Sequence, residues 1–181
     1  PLPLNDPLGI LAGFGGGGGR VSLAQIGHGG YAANGDHRGN IAVITEDGSV
    51  QIVGGMETHE NSTARLHWAG IGHAIGYGDS NVDNGNGNLG QVGESIVVHA
   101  LGTNGNVVVM GGEAATTAAS IGHGMYYDRG TKLGDIEVIA GNNLYMNAGN
   151  STVTTNGSKI GHGDSWQPGV GDIDGEIRVS I

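Results

Sequence analysis

The chain has 181 residues, 39 of them glycine, about 22% by division and roughly three times the usual share. That excludes an ordinary helical domain, because each interior glycine costs a helix about 1 kcal/mol relative to alanine, while 37% apolar residues and only 4 prolines separate the chain from flexible linkers and collagen. A net charge of −10 argues against nucleic acid as a partner, and the absence of cysteine removes disulfides and thiolate zinc sites.

Residues 1–20 hold three of the four prolines and the run Gly15 to Gly19. They are expected to form a flexible lead-in or an N-terminal cap, in which Leu8 to Leu11 covers the first exposed strand edge. The longest apolar stretch, Leu8 to Phe14, is far shorter than the roughly 20 residues that cross a bilayer and lacks a basic flank, so no membrane insertion and no targeting segment are expected. The chain opens at Pro1 without an initiator Met, which suggests a piece processed from a longer protein.

From residue 21 onward the sequence repeats itself. Ile-Gly-His-Gly or its near copy starts at Ile26, Ile71, Ile121 and Ile160, at spacings of 45, 50 and 39 residues. Four quasi-repeats follow, 21–65, 66–115, 116–154 and an incomplete 155–181, the mark of an array rather than a single globular core. After each tetrapeptide comes an aromatic (Tyr31, Tyr77, Tyr126 with Tyr127, Trp166), and then a strand-like segment: Gly39 to Val43, Glu94 to Val98, Gly134 to Val138, Gly175 to Val179. A further strand is expected in the complete repeats, at Gly48 to Ile52, Gly105 to Val109 and Asn143 to Met146. Apolar residues alternate within these segments, as at Ile41/Val43 and Val107/Val109, a period of two that turns one face inward.

Strands this short cannot bury a face alone, so successive repeats must stack, with about three strands per repeat. The expected fold is all-β, a parallel β-helix or β-solenoid with Gly/Asn-rich turns. Its inward Ile and Val would form ladders, and Asn-rich corners could add amide ladders.

The phrase Ala24-Gln25-Ile26-Gly27-His28-Gly29-Gly30, with Gly39-Asn40-Ile41 and Gly134-Asp135-Ile136-Glu137-Val138, resembles the repeats of large bacterial surface proteins of the filamentous-haemagglutinin and autotransporter-passenger type. The resemblance covers 21–181. It implies a right-handed parallel β-helix, placement outside the cell or on the bacterial surface, and an adhesive or fibre-forming role. Two departures stand out: Ala74 follows His73 where the other copies have Gly, and the second repeat carries an insert, Gly78 to Gly93.

Ile26, His28, Ile71, His73, Ile121, His123, Ile160 and His162 are the repeated set. The histidines have two readings: a row of imidazoles that binds a metal or titrates together, or side chains that hold each corner by hydrogen-bonding backbone. Repetition in every coil favours the architectural one. Tyr31, Tyr77, Tyr126 and Trp166 are likewise a sugar-stacking strip or loop plugs, and Trp68, without counterpart in the other repeats, is expected to be an exposed contact. His37, His59, His67 and His99 share no register. Asp79 with Asp83, and Asp172 with Asp174, are weak Ca2+ candidates that match no calcium-loop template. Asn61, Asn150 and Asn156 stand in glycosylation-type triplets.

No nucleophile elbow, phosphate loop or His-Glu-x-x-His motif is present, so no enzyme and no obligatory cofactor are expected. Three functions are weighed: an adhesive stalk that presents loops to host glycans or matrix proteins, a fibre whose partner is its own chain, and, last, a β-helix enzyme acting on polysaccharide.

Overall fold

A computed structural model describes residues 9–11, 21–30, 35–55, 66–73, 87–112, 117–124, 130–149, 157–163 and 172–181. In chain order its strands are β1 (Gly9–Leu11), β2 (Val21–Ile26), β3 (Ile41–Thr45), β4 (Val50–Val53), β5 (Leu66–Ile71), β6 (Ser95–Ala100), β7 (Asn106–Met110), β8 (Thr117–Ile121), β9 (Lys132–Leu133), β10 (Asp135–Ala140), β11 (Asn143–Asn147), β12 (Gly157–Ile160), β13 (Ile173–Asp174) and β14 (Ile177–Ser180). Among the described residues there is no helix, and the fold is all-β.

Among the described residues all strand pairs are parallel. Three sheets have four strands each, in the orders β1-β4-β7-β11, β2-β5-β8-β12 and β3-β6-β10-β14, and β9 pairs with β13 in a small fourth sheet. The chain therefore visits the three large sheets in rotation, adding one strand to each before returning to the first.

The register explains why the strands stack. Ile41, Ile96, Ile136 and Ile177 are Cα partners along one sheet, as are Val43, Val98, Val138 and Val179. Ile26, Ile71, Ile121 and Ile160 align along the second sheet, and Val50, Val107 and Leu144 along the first. Side chains from all three sheets meet in one core that includes Ile52, Ile71, Val98, Val109 and Ile121. Each such Ile or Val contributes about 1.5–3 kcal/mol by leaving water, and its branched Cβ suits the pleated backbone.

A polar ladder runs beside the apolar ones. Asn143 Nδ2 donates to Asn106 Oδ1 at 3.3 Å, and Asn106 Nδ2 donates to Ser49 Oγ at 3.2 Å, so amides and a hydroxyl at one corner serve successive strands.

The sequence named two strands of each complete repeat; the third is the segment that ends at the Ile of the tetrapeptide, as in Leu66–Ile71 and Thr117–Ile121. Within the proline- and glycine-rich lead-in, Gly9–Leu11 is a strand whose Gly9, Ile10 and Leu11 align with Gln51, Ile52 and Val53.

Candidate functional site: a histidine row

Each histidine of the repeat sits just after a strand of the second sheet, at the corner where the chain leaves it. The glycine before it has φ of +143° at Gly27, +150° at Gly72, +144° at Gly122 and +149° at Gly161, a conformation that L side chains rarely adopt. A Cβ on Gly122 would lie 1.9 Å from the carbonyl oxygen of Gly161, so the corner needs glycine for space as well as for φ.

The glycine turn changes which groups bond across the corner. Gly122 N–H donates to Ile71 O at 2.9 Å, and Gly161 N–H to Ile121 O at 2.8 Å, which continues the ladder of the sheet. At the next residue an imidazole stands in for a carbonyl. The N–H of His28 donates to Nδ1 of His73, that of His73 to Nδ1 of His123, and that of His123 to Nδ1 of His162, each at 3.0 Å. One residue further, carbonyls take over again: Gly124 N–H donates to His73 O at 3.0 Å and Gly163 N–H to His123 O at 2.8 Å.

These bonds fix the tautomer. An Nδ1 that accepts an N–H carries a lone pair, so the neutral ring holds its proton on Nε2. His73 Nε2 accordingly donates to Gly39 O at 3.1 Å and His162 Nε2 to Gly134 O at 2.8 Å. Both carbonyls belong to the glycine that opens the Gly-x-Ile-x-Val segment of the preceding repeat. His73 and His162 thus hold the repeat before them by two bonds, one to a histidine N–H and one to a glycine carbonyl.

The rings stack face to face. Centroid separations are 5.2, 4.8 and 4.8 Å from His28 through His73 and His123 to His162, with planes 19°, 2° and 15° apart. That spacing equals the distance between neighbouring strands, so the stack follows from the ladder. His73 and His123 are 0% and 1% exposed. Burial is the main cause that lowers the pKa of His73, His123 and His162 below the ordinary imidazole range; charge on a neighbouring ring would lower it further at His73 and His123, as do Lys132 at His123 and Lys159 and Lys132 at His162. The His123 ring is lowered to about 3. The Nδ1 lone pairs of His73, His123 and His162 are engaged by backbone N–H groups, and Nε2 of His73 and His162 points its proton at a carbonyl, so His73 and His162 keep no lone pair for a metal ion.

Two side chains that sequence reasoning passed over clamp the same corner. Gln25 Nε2 donates to His28 O at 2.9 Å and to Gly72 O at 2.8 Å. Lys159, the residue in register with Gln25 through Gly70 and Ser120, donates through Nζ to Gly163 O and, at 3.5 Å, to Gly124 O. The signal was position: each lies one residue before the Ile of its tetrapeptide.

No protein-family model, no curated protein and no solved structure matches this chain.

Ile71 and Ile121 are fully buried in the core, Ile160 packs against it and Ile26 is 37% exposed. Trp68 corrects an expectation: it is only 2% exposed and is no surface contact. Ala69 and Ile71 point into the core, so Trp68 lies on the opposite face of β5, in register with Leu23 and Ala118, and that face is covered at this position. Tyr31, Tyr77, Tyr126, Tyr127, Trp166, Asp79, Asp83, His59, Asn61, Asn150 and Asn156 lie outside the described residues. Asp172 and Asp174 are exposed, and their carbonyls accept from Lys132 N–H and Gly134 N–H at 2.8 and 3.1 Å. Among the described residues no group of three or more His, Asp or Glu side chains is placed to hold a metal ion.

The remaining histidines have separate surroundings. His67 is buried in β5, His37 bridges to Leu89, and His99 Nε2 meets Glu137 Oε1 at 2.6 Å on the outer side of β6 and β10.

Proposed function

We propose that the chain is a segment of a right-handed parallel β-helix that serves as a rigid stalk in a secreted or surface-displayed bacterial adhesin, a structural role without catalysis. One observation carries the reading: three four-stranded parallel sheets are visited in rotation around one core, and every step of the rotation is tied at the same corner by a stacked histidine. Repeating the same tie at each step gives stiffness along the stacking axis, which is what a stalk requires, and leaves the variable loops between strands as the surfaces that meet host glycans or matrix proteins.

Interstrand proton contacts measured by NMR on the purified chain test the architecture, and binding arrays of glycans and matrix proteins test the adhesive role. Parallel contacts between equivalent residues of successive repeats, such as Ile96 with Ile136, together with ligand retained on the array support the reading. Contacts in another register would contradict the stalk, and the expected contacts with no ligand in either array would contradict the adhesive part.

An alternative of the same architecture is a self-assembling extracellular fibre. It draws on the same parallel pairing, since strands that stack in register within the chain can stack in register on another copy.

A further inference from the structure

The corner between the third sheet and the first carries a reactive pair. The chain leaves β6 at Ala100, turns through 101–105 and enters β7 at Asn106, so Asn104-Gly105 stands at the exit of that turn. The fold imposes the glycine: a Cβ on Gly105 would lie 2.1 Å from Ala100 O and 2.6 Å from Leu101 O. Asn104 is therefore followed by a residue with no side chain to shield its backbone nitrogen.

Asn104 differs from the other asparagines of the described residues. Oδ1 of Asn40 accepts the N–H of Ser95 at 2.8 Å, Oδ1 of Asn147 accepts that of Gly149 at 2.8 Å, and Asn106 and Asn143 are joined in the amide ladder. Each of these, like Asn88 and Asn142, is followed by a residue with a Cβ. Asn104 is exposed, and among the described residues its side chain makes one bond, from Nδ2 to Asp47 Oδ1 at 3.4 Å, while its Oδ1 accepts none. The amide can thus turn toward the nitrogen of Gly105, whose N–H donates to Gly102 O at 3.1 Å across the turn. The other Asn-Gly pairs, at Asn34, Asn84, Asn86 and Asn156, have their asparagine outside the described residues.

We propose that Asn104 is a site of spontaneous covalent modification, with water as the co-reactant. The nitrogen of Gly105 attacks Cγ of Asn104; the new N–Cγ bond closes a succinimide ring, and the side-chain nitrogen leaves as ammonia, taking the proton of Gly105. Water then adds to one of the two imide C–N bonds. Opening at Cγ leaves an aspartate at position 104, and opening at the backbone carbonyl leaves an isoaspartate, in which the main chain runs through Cγ. The reaction needs only this turn, so it stands independently of the stalk reading.

The two products meet the corner differently. Aspartate is the residue the first repeat already has there: Asp47 and Asn104 stand three residues before Val50 and Val107, which are Cα partners, and each precedes a glycine. Isoaspartate lengthens the main chain by one carbon beside a glycine packed against Ala100, and it turns the carbonyl of residue 104 into a free carboxylate. That carbonyl accepts Ser49 Oγ at 3.4 Å and Asn106 Nδ2 at 3.0 Å, so the ladder through Ser49, Asn106 and Asn143 loses its anchor.

The test incubates the intact folded chain at mildly alkaline pH, beside the same chain unfolded in urea and the variants Asn104→Gln and Asn104→Asp. Peptide mapping by mass spectrometry reads the amide-to-acid mass gain at each asparagine, and enzymatic methylation reads isoaspartate. The expected result is conversion at position 104 of the folded chain while Asn40, Asn88, Asn106, Asn143 and Asn147 stay intact, with complete loss of that signal in Asn104→Gln. Fresh Asn104→Asp keeps the parent's melting temperature, whereas the aged parent melts lower as its isoaspartate accumulates. An Asn104 that persists in the folded chain while the unfolded chain converts it would overturn the inference, because the turn would be holding the Gly105 nitrogen out of reach. Conversion of Asn106 or Asn143 at the same rate would overturn it too, since the corner would confer no selectivity. An Asn104→Asp chain as weakened as the aged parent would overturn the assignment of the damage to isoaspartate.

Discussion

The backbone N–H of His73 donates to Nδ1 of His123 at 3.0 Å, and the two rings lie 4.8 Å apart with planes 2° from parallel. An imidazole here does the work of a peptide carbonyl. The preceding glycine turns the backbone at φ near +145°, and the ring supplies an acceptor at the strand spacing. The consequence is a fastener that needs three sequence letters, Ile for the core, Gly for the turn and His for the acceptor, and that works only when the same letters stand on the neighbouring strand.

Replacing His123 with alanine tests the fastener. The substitution removes the acceptor of a buried N–H and one ring from the stack, at an expected cost of about 2–4 kcal/mol. Chemical denaturation measures it. A cost below about 0.5 kcal/mol, the range of ordinary surface substitutions, would show that the ring is not needed for the corner.

Val107 is fully buried, in register with Val50 and Leu144. Val107→Asp places a carboxylate without a partner in the shared core and is expected to cost about 4 kcal/mol or more, above the loss from His123→Ala. Wild-type thermal stability in this variant would refute the inward assignment of the ladder.

Two glycines separate space from backbone preference. Gly93 has φ of +87° with nothing within 4 Å of an added Cβ, so Gly93→Ala should cost about 1–2 kcal/mol from φ alone. Gly122 combines φ of +144° with a Cβ site 1.9 Å from Gly161 O, and Gly122→Ala should cost about 3 kcal/mol or more because the neighbouring coil has to move. Equal costs would mean that Gly122 and Gly161 are not in contact at the corner.

Acid should weaken the fold through the same row. His73, His123 and His162 have folded-state pKa values below 6.5, so above that pH both folded and unfolded rings are neutral and stability is fully present. As pH falls below 6.5 the unfolded rings take up protons that the folded rings do not, and stability drops by at most about 1.4 kcal/mol per pH unit for each ring. For His123 the loss continues down to about pH 3. Melting temperature measured from pH 8 to pH 4 should stay level at first and then fall. A melting temperature that rises on acidification to pH 5 would contradict the sign.

Much of this is legible in the sequence. Ile41/Val43 and Ile136/Val138 show the alternation in the sequence and fill the core in the structure, and the four tetrapeptides align as the spacing suggested. The strand Leu66–Ile71 was not legible, because Trp68, Ala69 and Gly70 break the alternation that marks its neighbours. Trp68 was misread for a related reason: burial of an outer-face residue depends on what the rest of the chain lays over it, which local pattern does not encode. Gln25 and Lys159 escaped notice because the two middle members of their column, Gly70 and Ser120, lack long side chains, so no repeat was visible there. Gly9–Leu11 lies along the edge of Val50–Val53, within the stretch Leu8 to Leu11 that one of the two readings placed over the first strand edge; three residues among prolines and glycines carry too little pattern to show that they do so as a strand.

The most direct test of the histidine row as the coil-to-coil fastener is long-range nitrogen–proton NMR on the imidazoles of the intact chain as pH is lowered from 8 to 5. The account predicts that at pH 8 His73, His123 and His162 each carry the proton on Nε2 with an unprotonated, hydrogen-bonded Nδ1, that His123 keeps this form throughout, and that His73 and His162 take up a proton only below the ordinary imidazole range. Rings that exchange between tautomers at pH 8 and take up a proton near pH 6.5 without loss of fold would show that the imidazoles face solvent, and the central claim would fall.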